Sequence, residues 1–335
     1  MSNYLVTGAA GFIGARVSEM LMEQGHTVTG LDNLNDAYDV RMKEYRLRKL
    51  ETLPGFTFQK LDISNRKEVE KLAGLQVGKL ELQTGALKPI PFDAVINLAA
   101  RAGVRASVEN PWAFYEANVS GTLNLLELSR RQGIPKFLLA STSSIYGANA
   151  PVPTPETADS NHPLQPYAAS KKAAEVLCHS YHSLYGLDIS VVRYFTVYGP
   201  AGRPDMSMFR FAKWIREGQP LHLYGDGEQS RGFTFVDDIA RGTIAALKPL
   251  GYEIINLGGH EVITMNAMIA LLEEMIGKKA IINRCPPNLA DMVTSWADVS
   301  KAHESLGWAP QVSLHQGVRK VVEWYQAERS WASEV

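Results

Sequence analysis

The chain has 335 residues, 45% of them hydrophobic and 21% charged, with a formal net charge of −1. That length holds one large domain, or a large and a small one, with an ample core, and the balanced charge gives no support for nucleic acid or an anionic membrane surface as a partner. No apolar run can span a bilayer and a strand begins almost at once, leaving no room for a signal peptide, so the expectation is a cytoplasmic protein with no membrane partner. A short apolar strand, Tyr4 to Val6, runs into Gly8, Gly11 and Gly14, and the amphipathic segment Ala15 to Glu23 follows. Glycine is needed where the backbone turns sharply and where it approaches a pyrophosphate with no side chain between, and the first amides of the following helix then face the phosphates. A tight glycine turn in an unrelated α/β protein is the competing reading. Against it stands Asp32, which ends the second strand, His26 to Leu31. At that place a carboxylate binds both hydroxyls of an adenosine ribose and repels a 2′-phosphate, so it selects NAD over NADP.

Further apolar, β-rich runs occur at Phe56–Leu61, Ala94–Leu98, Phe137–Ala140 and Ile189–Tyr194, with helical patterns such as Asn118–Gln132 between them. Strands alternating with helices imply right-handed crossovers and an α/β fold built on a doubly wound parallel (Rossmann) sheet. Leu75 to Pro91, with its glycines and prolines, reads as a loop or small insertion. After Gly199-Pro200 the strand pattern weakens and short helices are expected at Asp237–Leu247, Met265–Ile276, Val299–Leu306 and Leu314–Gln326. This is the pattern of a smaller mixed α/β C-terminal substrate lobe. Residues 1–198 are thus expected to bind the cofactor and to carry the catalytic pair, and residues 199–335 to bind the second ligand, with some chain crossing between them. The two cysteines, Cys178 and Cys285, are too few for a disulfide framework and lack metal-ligand spacing, so both read as small core residues and no metal site is expected.

Tyr167 and Lys171 stand four apart at the start of the helical stretch Tyr167–Leu184, which puts both on one helix face. An ammonium near a phenol favours the phenolate, lowers a pKa of about 10 and makes tyrosine usable as a general base. A solvated helix face is the ordinary meaning of such a pair. It gains force from Ser141-Thr142-Ser143-Ser144 directly after the strand Phe137–Ala140, because catalytic residues collect at the carboxyl ends of central strands.

Glycine turn, strand-end hydroxyls and Tyr-Lys helix, in this order over nearly the whole chain, resemble the extended short-chain dehydrogenase/reductase family. The resemblance implies that Tyr167 is the base, that Lys171 tunes it and binds the nicotinamide ribose, and that Thr142 assists. It implies NAD, tightly bound and regenerated each turnover, as the cofactor. Its contacts are expected from Gly8, Gly11, Phe12, Ile13 and Gly14, from Asp32, Asn33 and Asn35, from the adenine pair Asp62-Ile63, and from Leu98, Ala99, Ala100 and Arg101. Asn118, Ser141, Tyr167, Lys171, Tyr194 and Val197 complete that set. A homodimer through the helices Asn118–Gln132 and Tyr167–Leu184 is implied in the same way.

Within that family, dehydratases and decarboxylases carry an acid where this chain has Ser143, and a serine cannot serve elimination at neutral pH without its own base. The segments Asp32 to Arg41, Arg193 to Pro200 and Gly202 to Met206, with Ala102-Gly103-Val104-Arg105, look like those of UDP-glucuronate 4-epimerases. A hexuronate carries a carboxylate where a hexose carries a hydroxymethyl, so its site needs donors for two acceptor oxygens. Thr142, Ser143, Ser144 and Thr196 supply four hydroxyls and Arg203 a planar positive fork; a polar strand end capping its own backbone is the plainer reading. The resemblance adds Arg105, Met206, Tyr167, Tyr224, Arg231 and Asp291 as contacts to a UDP-sugar, with Arg231 on the diphosphate, and His222 beside Tyr224 near the uracil. The expected activity is NAD-dependent interconversion of UDP-glucuronate and UDP-galacturonate. Another UDP-sugar 4-epimerase, a UDP-glucuronate decarboxylase and a non-catalytic NAD-binding regulator stand as alternatives.

Overall fold

Apolar residues run on without polar interruption in strands covered on both faces, and the runs named above form one such sheet. The computed structural model describes residues 1–77, 92–259, 261–287 and 294–335. β1 (Asn3–Thr7), β2 (Thr27–Asp32), β3 (Phe56–Lys60), β4 (Ala94–Asn97), β5 (Lys136–Thr142), β6 (Asp188–Tyr194) and β7 (Tyr252–Leu257) make a seven-stranded sheet in the order 3-2-1-4-5-6-7. Every pairing in it is parallel. The order reverses between β1 and β4, so a crevice opens above their carboxyl ends, where doubly wound sheets bind ligands.

Adjacent residues of each strand serve opposite cores. Leu5, Phe137, Leu139, Ile189 and Val191 pack with Leu125, Leu126 and Cys178 on one face. Val6, Leu138, Val192 and Ile255 pack with Val17, Leu21 and Ile239 on the other. A third core, around Phe211, Ile215, Leu223, Leu272 and Val318, belongs to the C-terminal part. There the strands Thr196–Tyr198, Ser230–Phe235, Val262–Thr264 and Thr294–Ser295 form a four-stranded sheet, and Pro220–Tyr224 pairs in parallel with Ile281–Cys285. After residue 199 the chain also returns to the large sheet, with β7 along β6 and the helix Val236–Ala245 against the helix Phe12–Glu23.

Three expectations change. The stretch 75–91 is not wholly a loop, because the helix Arg66–Val77 reaches into its start; residues 78–91 lie outside the described residues. The helix at Asn118–Gln132 opens with a π-helical turn, Glu116–Ser120, before the α-helix Gly121–Gln132. Cys178 is buried, but Cys285 is half-buried at a strand end with its Sγ 3.8 Å from His222 Nδ1, so it is no core residue. Among the described residues, no helix is long and apolar enough to cross a membrane, and no three metal-ligating side chains gather.

Candidate active site

β1 ends in Gly8, whose φ of +70° suits glycine, and a Cβ there would come within 2.8 Å of the Ala99 amide nitrogen. The turn therefore lies directly against Leu98-Ala99, which Thr7 holds by accepting from the Ala99 amide at 3.2 Å. A Cβ on Gly14 would fall 2.0 Å from the Gly8 carbonyl oxygen, so only glycine lets the helix Phe12–Glu23 sit this close to the turn. That helix has neither a side-chain cap nor an acid in its first turn, and its leading amides suit a diphosphate. Asp32 is buried at the end of β2, accepting from the Leu34 amide at 2.8 Å. Asn33 donates to Asp62 at 2.9 Å, and Asn35 donates through its backbone and side chain to Asn33. Ile63 packs against Gly121, where a Cβ would meet its Cδ1 at 2.7 Å. These residues make a continuous cradle that fits a dinucleotide with an unphosphorylated adenosine ribose. Asn118, inside the π-helical turn, grips the Arg101 backbone in both directions, at 2.9 and 3.0 Å, and donates to Ser170 of the helix that carries Tyr167. The Arg101 guanidinium lies 3.8 Å from Asp36. Ala100 follows Ala99 on the same segment, half-buried.

A cleft of about 660 Å³ adjoins this cradle, between the large sheet and the C-terminal lobe. It brings together Phe12, Ile13, Arg105, Ser141 to Ser144, Tyr167, Tyr194, Thr196, Val197, Arg203, Met206, Tyr224 and Arg231 of the expected residues. Tyr167 enters from the helix Pro166–Tyr185, which begins with a proline at its first turn and ends on Gly186 in the left-handed region. The Thr142 hydroxyl is its hydrogen-bond partner. Lys171 is buried one turn further on and donates to the Ala140 carbonyl at 2.9 Å. Burial pushes its ammonium down to about 8.

The phenol of Tyr167 differs from expectation. Burial by the cleft walls holds its pKa above the ordinary value, opposed by the Thr142 hydrogen bond and by Arg203. The cation acting on the phenol is thus Arg203, since the Lys171 ammonium is turned to a backbone carbonyl of β5. Arg203 is held by Asp205 at 3.0 and 2.6 Å and by the Ala102 carbonyl at 3.0 Å, and lies over the Tyr38 ring. Burial works against its charge, and Asp205 outweighs that.

The hydroxyl row serves two purposes. Thr142 caps the turn after β5 by accepting from the Ser144 amide at 3.2 Å and also donates to Ser144 Oγ, while Ser143 and Thr196 stay on the cleft wall. The Ser141 hydroxyl is committed to Glu175 at 2.5 Å and that of Tyr194 to Thr243 at 2.8 Å, so both reach the cleft by other atoms. Arg105 stacks 4.4 Å above the Tyr224 ring, joining the segment after β4 to the lobe. His222 lines the same end, edge-on to Trp214. Asp291, expected at the nucleotide ribose, lies outside the described residues.

Several residues of the site carried no motif. Lys43 is buried 3.8 Å from Asp32 and donates to Asn35. Arg46 ties the Ala10 carbonyl of the glycine turn to the Ala201 carbonyl beside Arg203. Glu175 and Arg193 form a buried ion pair under the strand ends. The signal for the last was Arg193 itself, a charge inside the strand run Ile189–Tyr194 and the first residue of the segment Arg193 to Pro200.

Comparison with known proteins agrees with this arrangement. Residues 4–258 match the model of the NAD dependent epimerase/dehydratase family. A UDP-glucuronate 4-epimerase of Thermodesulfobacterium geofontis is 54% identical over 325 residues, 97% of this chain and 96% of that protein. The crystal structure of UDP-glucuronic acid 4-epimerase from Bacillus cereus, in complex with UDP-glucuronic acid and NAD, is 35% identical with a TM-score of 0.87, covering 97% of this chain and 99% of its own. UDP-glucose 4-epimerase from Thermotoga maritima, solved with UDP-glucose, is 33% identical with a TM-score of 0.86, covering 98% and 99%. A dinucleotide cradle and a Tyr-Lys helix beside a second-ligand cleft, together with a family match that covers most of the chain, make this protein a member of the NAD dependent epimerase/dehydratase family.

Proposed function

We propose that the chain is an NAD-dependent epimerase that interconverts UDP-glucuronate and UDP-galacturonate through a transient 4-keto sugar. The observation that carries this reading is the cleft wall itself, where Tyr167, hydrogen-bonded to Thr142, stands beside Ser143, Ser144, Thr196 and Arg203. Such a wall offers one base and a cluster of donors for a carboxylate, with no acid at the position of Ser143 to drive elimination. Bound NAD supplies a hydride acceptor at the sugar C4 that is restored each turnover. The Gly8–Gly14 turn, Asp32 and Asp62 would hold it. Tyr167 takes the proton of the C4 hydroxyl and returns it on the other face after the keto sugar has swung about its diphosphate. Thr142 holds the phenol oxygen, Arg203 supplies the positive charge that favours phenolate, and Lys171 ties the helix to the Ala140 carbonyl. Arg231 would clamp the diphosphate, Tyr224 and Arg105 would meet the nucleotide, and Asp291 would bind its ribose.

The division into a cofactor part (1–198) and a nucleotide-sugar part (199–335), with chain crossing, belongs to this reading, as do a cytoplasmic location and a homodimer. A second reading, a UDP-hexose 4-epimerase, is favoured by the likeness to the Thermotoga maritima structure. One assay separates them. Incubation with UDP-glucuronate should yield UDP-galacturonate, while UDP-glucose should react poorly. Release of a UDP-pentose and CO₂ as the main products would mark a decarboxylase. No turnover of either sugar would mark a binding protein and end the proposal.

A further inference from the structure

We propose that the buried Glu175–Arg193 pair is a positioning device, through which Glu175 fixes the register of the Tyr167/Lys171 helix against the end of β5. The inference rests on the reading of Tyr167 as the base. Tyr167, Lys171 and Glu175 recur every four residues and share one helix face. They reach three consecutive residues of β5: Tyr167 meets Thr142, Lys171 donates to the Ala140 carbonyl at 2.9 Å, and Glu175 accepts from Ser141 at 2.5 Å. Two of these contacts involve the reacting groups. The third has no chemistry to perform and is the most deeply anchored.

Arg193, 2% exposed on β6, donates to both Glu175 oxygens, at 3.0 and 2.7 Å. It also donates to the Tyr146 hydroxyl at 2.9 Å, which in turn donates to Asn256 of β7 at 2.7 Å. Each strand is gripped beside a residue of the cleft: Ser141 precedes Thr142, and Arg193 precedes Tyr194. Stability does not account for the pair, because desolvating two charges offsets most of their attraction and well-packed apolar residues serve as well or better. Directional bonds give what apolar contact here does not. The buried face of the helix is otherwise Ala168, Ser170, Ala174 and Cys178, small side chains with few knobs to stop one surface sliding over the other.

The test uses the full-length protein loaded with NAD, with UDP-glucuronate as substrate. Ser141→Ala cuts only the link from Glu175 to β5. Glu175→Leu combined with Arg193→Met removes both charges of the pair together, and with them the carboxylate that acts on Lys171. Both are expected to lower kcat at least about tenfold while KM changes less than about threefold, since misplacing the base costs rate rather than binding. Ser141→Thr, which keeps the hydroxyl, should restore most of the rate. Because the Thr142 hydrogen bond lowers the phenol's pKa, a slackened Tyr167 should also move the acid limb of the kcat profile to higher pH. If the apolar pair folds and keeps kcat and pH profile, the proposal is wrong. If it does not fold, Ser141→Ala decides alone, and unchanged kcat there, or a loss that Ser141→Thr does not rescue, overturns it. Absence of epimerisation by the wild type would instead refute the assigned activity.

Discussion

At the scale of single residues, the proposed chemistry would rest on a phenol whose surroundings work against its ionisation and a lysine whose surroundings work against its charge. Tyr167→Phe should retain NAD and substrate yet lose about 10²–10⁴-fold in kcat, because it removes the proton acceptor and leaves the ring; near-normal turnover would take Tyr167 out of the role. For Lys171 the sign follows from burial. Its folded pKa of about 8 lies below the ordinary 10.5, so from about pH 8 to 10.5 the unfolded chain binds more protons and stability rises with pH. Below about 8 both states are protonated and the desolvation cost is complete. In the cofactor-free protein, Lys171→Met should therefore compare best with wild type below pH 8 and lose ground as pH rises towards 10.5, which melting curves across that range will register; parallel curves would contradict a depressed lysine. The hydroxyl row carries a third expectation. The 4-keto form of a hexuronate is a β-keto acid, and it loses CO₂ fastest when the bond to the carboxylate lies along the carbonyl π orbitals. Donors fixed on both carboxylate oxygens hold it out of that alignment. Ser143→Ala or Thr196→Ala should raise KM by about 1.5–3 kcal/mol for each bond lost and release 4-keto pentose and CO₂, with UDP-glucose less affected. If uronate affinity survives and no pentose forms, the row is only a strand cap, the part Thr142 already plays toward the Ser144 amide.

At the scale of elements, the strands were legible because each is a short run rich in apolar and β-branched residues, bounded by glycine, proline or a polar cluster. β1 to β6 lie within about two residues of the runs that announced them. What sequence reading missed has physical reasons. The helix Arg41–Glu51 is mostly charged and buries Lys43 and Arg46 alongside Met42, Leu47 and Leu50, so periodicity of apolar residues under-reports its inner face. β7 sits between Gly251 and Gly258-Gly259, which suggest turns, and only its pairing with β6 makes it a strand of the large sheet. The helix Pro166–Tyr185 was readable through Tyr167 and Lys171, whereas the contacts of Glu175 appear only once Ser141 and Arg193 are brought to it by two different strands. The buried Lys43 also bears on the cofactor. Asp32 repels a 2′-phosphate, but a lysine 3.8 Å away stands ready to attract one. Asp32→Ala should therefore do more than relax selectivity: affinity for NADP, measured by fluorescence titration, should rise while that for NAD falls. Equal weakening of both would mean that Lys43 is held by Asn35 out of reach of the ribose.

At the scale of the molecule, the apolar surface is unevenly distributed. Trp112 is 78% exposed, Leu184 70%, Val176 56% and Tyr185 53%. Two helices carry them, Pro111–Tyr115 and Pro166–Tyr185, which pack against one another, and Gly121–Gln132 with half-exposed Leu123 lies alongside. Gly121–Gln132 and Pro166–Tyr185 pack on one face of the large sheet. Isolated apolar residues on a surface need no explanation, but several large ones on adjoining helices are the feature on which the proposed homodimer would rest. The long helix is the one that presents Tyr167 and Lys171 on its inner face, so dimerisation on its outer face would stiffen the element that holds the base. Val176→Glu with Leu184→Glu places charges in that patch without touching the residues that line the cleft. Sedimentation should then show a monomer where the wild type shows a dimer, with the melting temperature lowered and made less dependent on protein concentration. If the variant sediments as the wild type does, these helices face solvent and any self-association uses another surface.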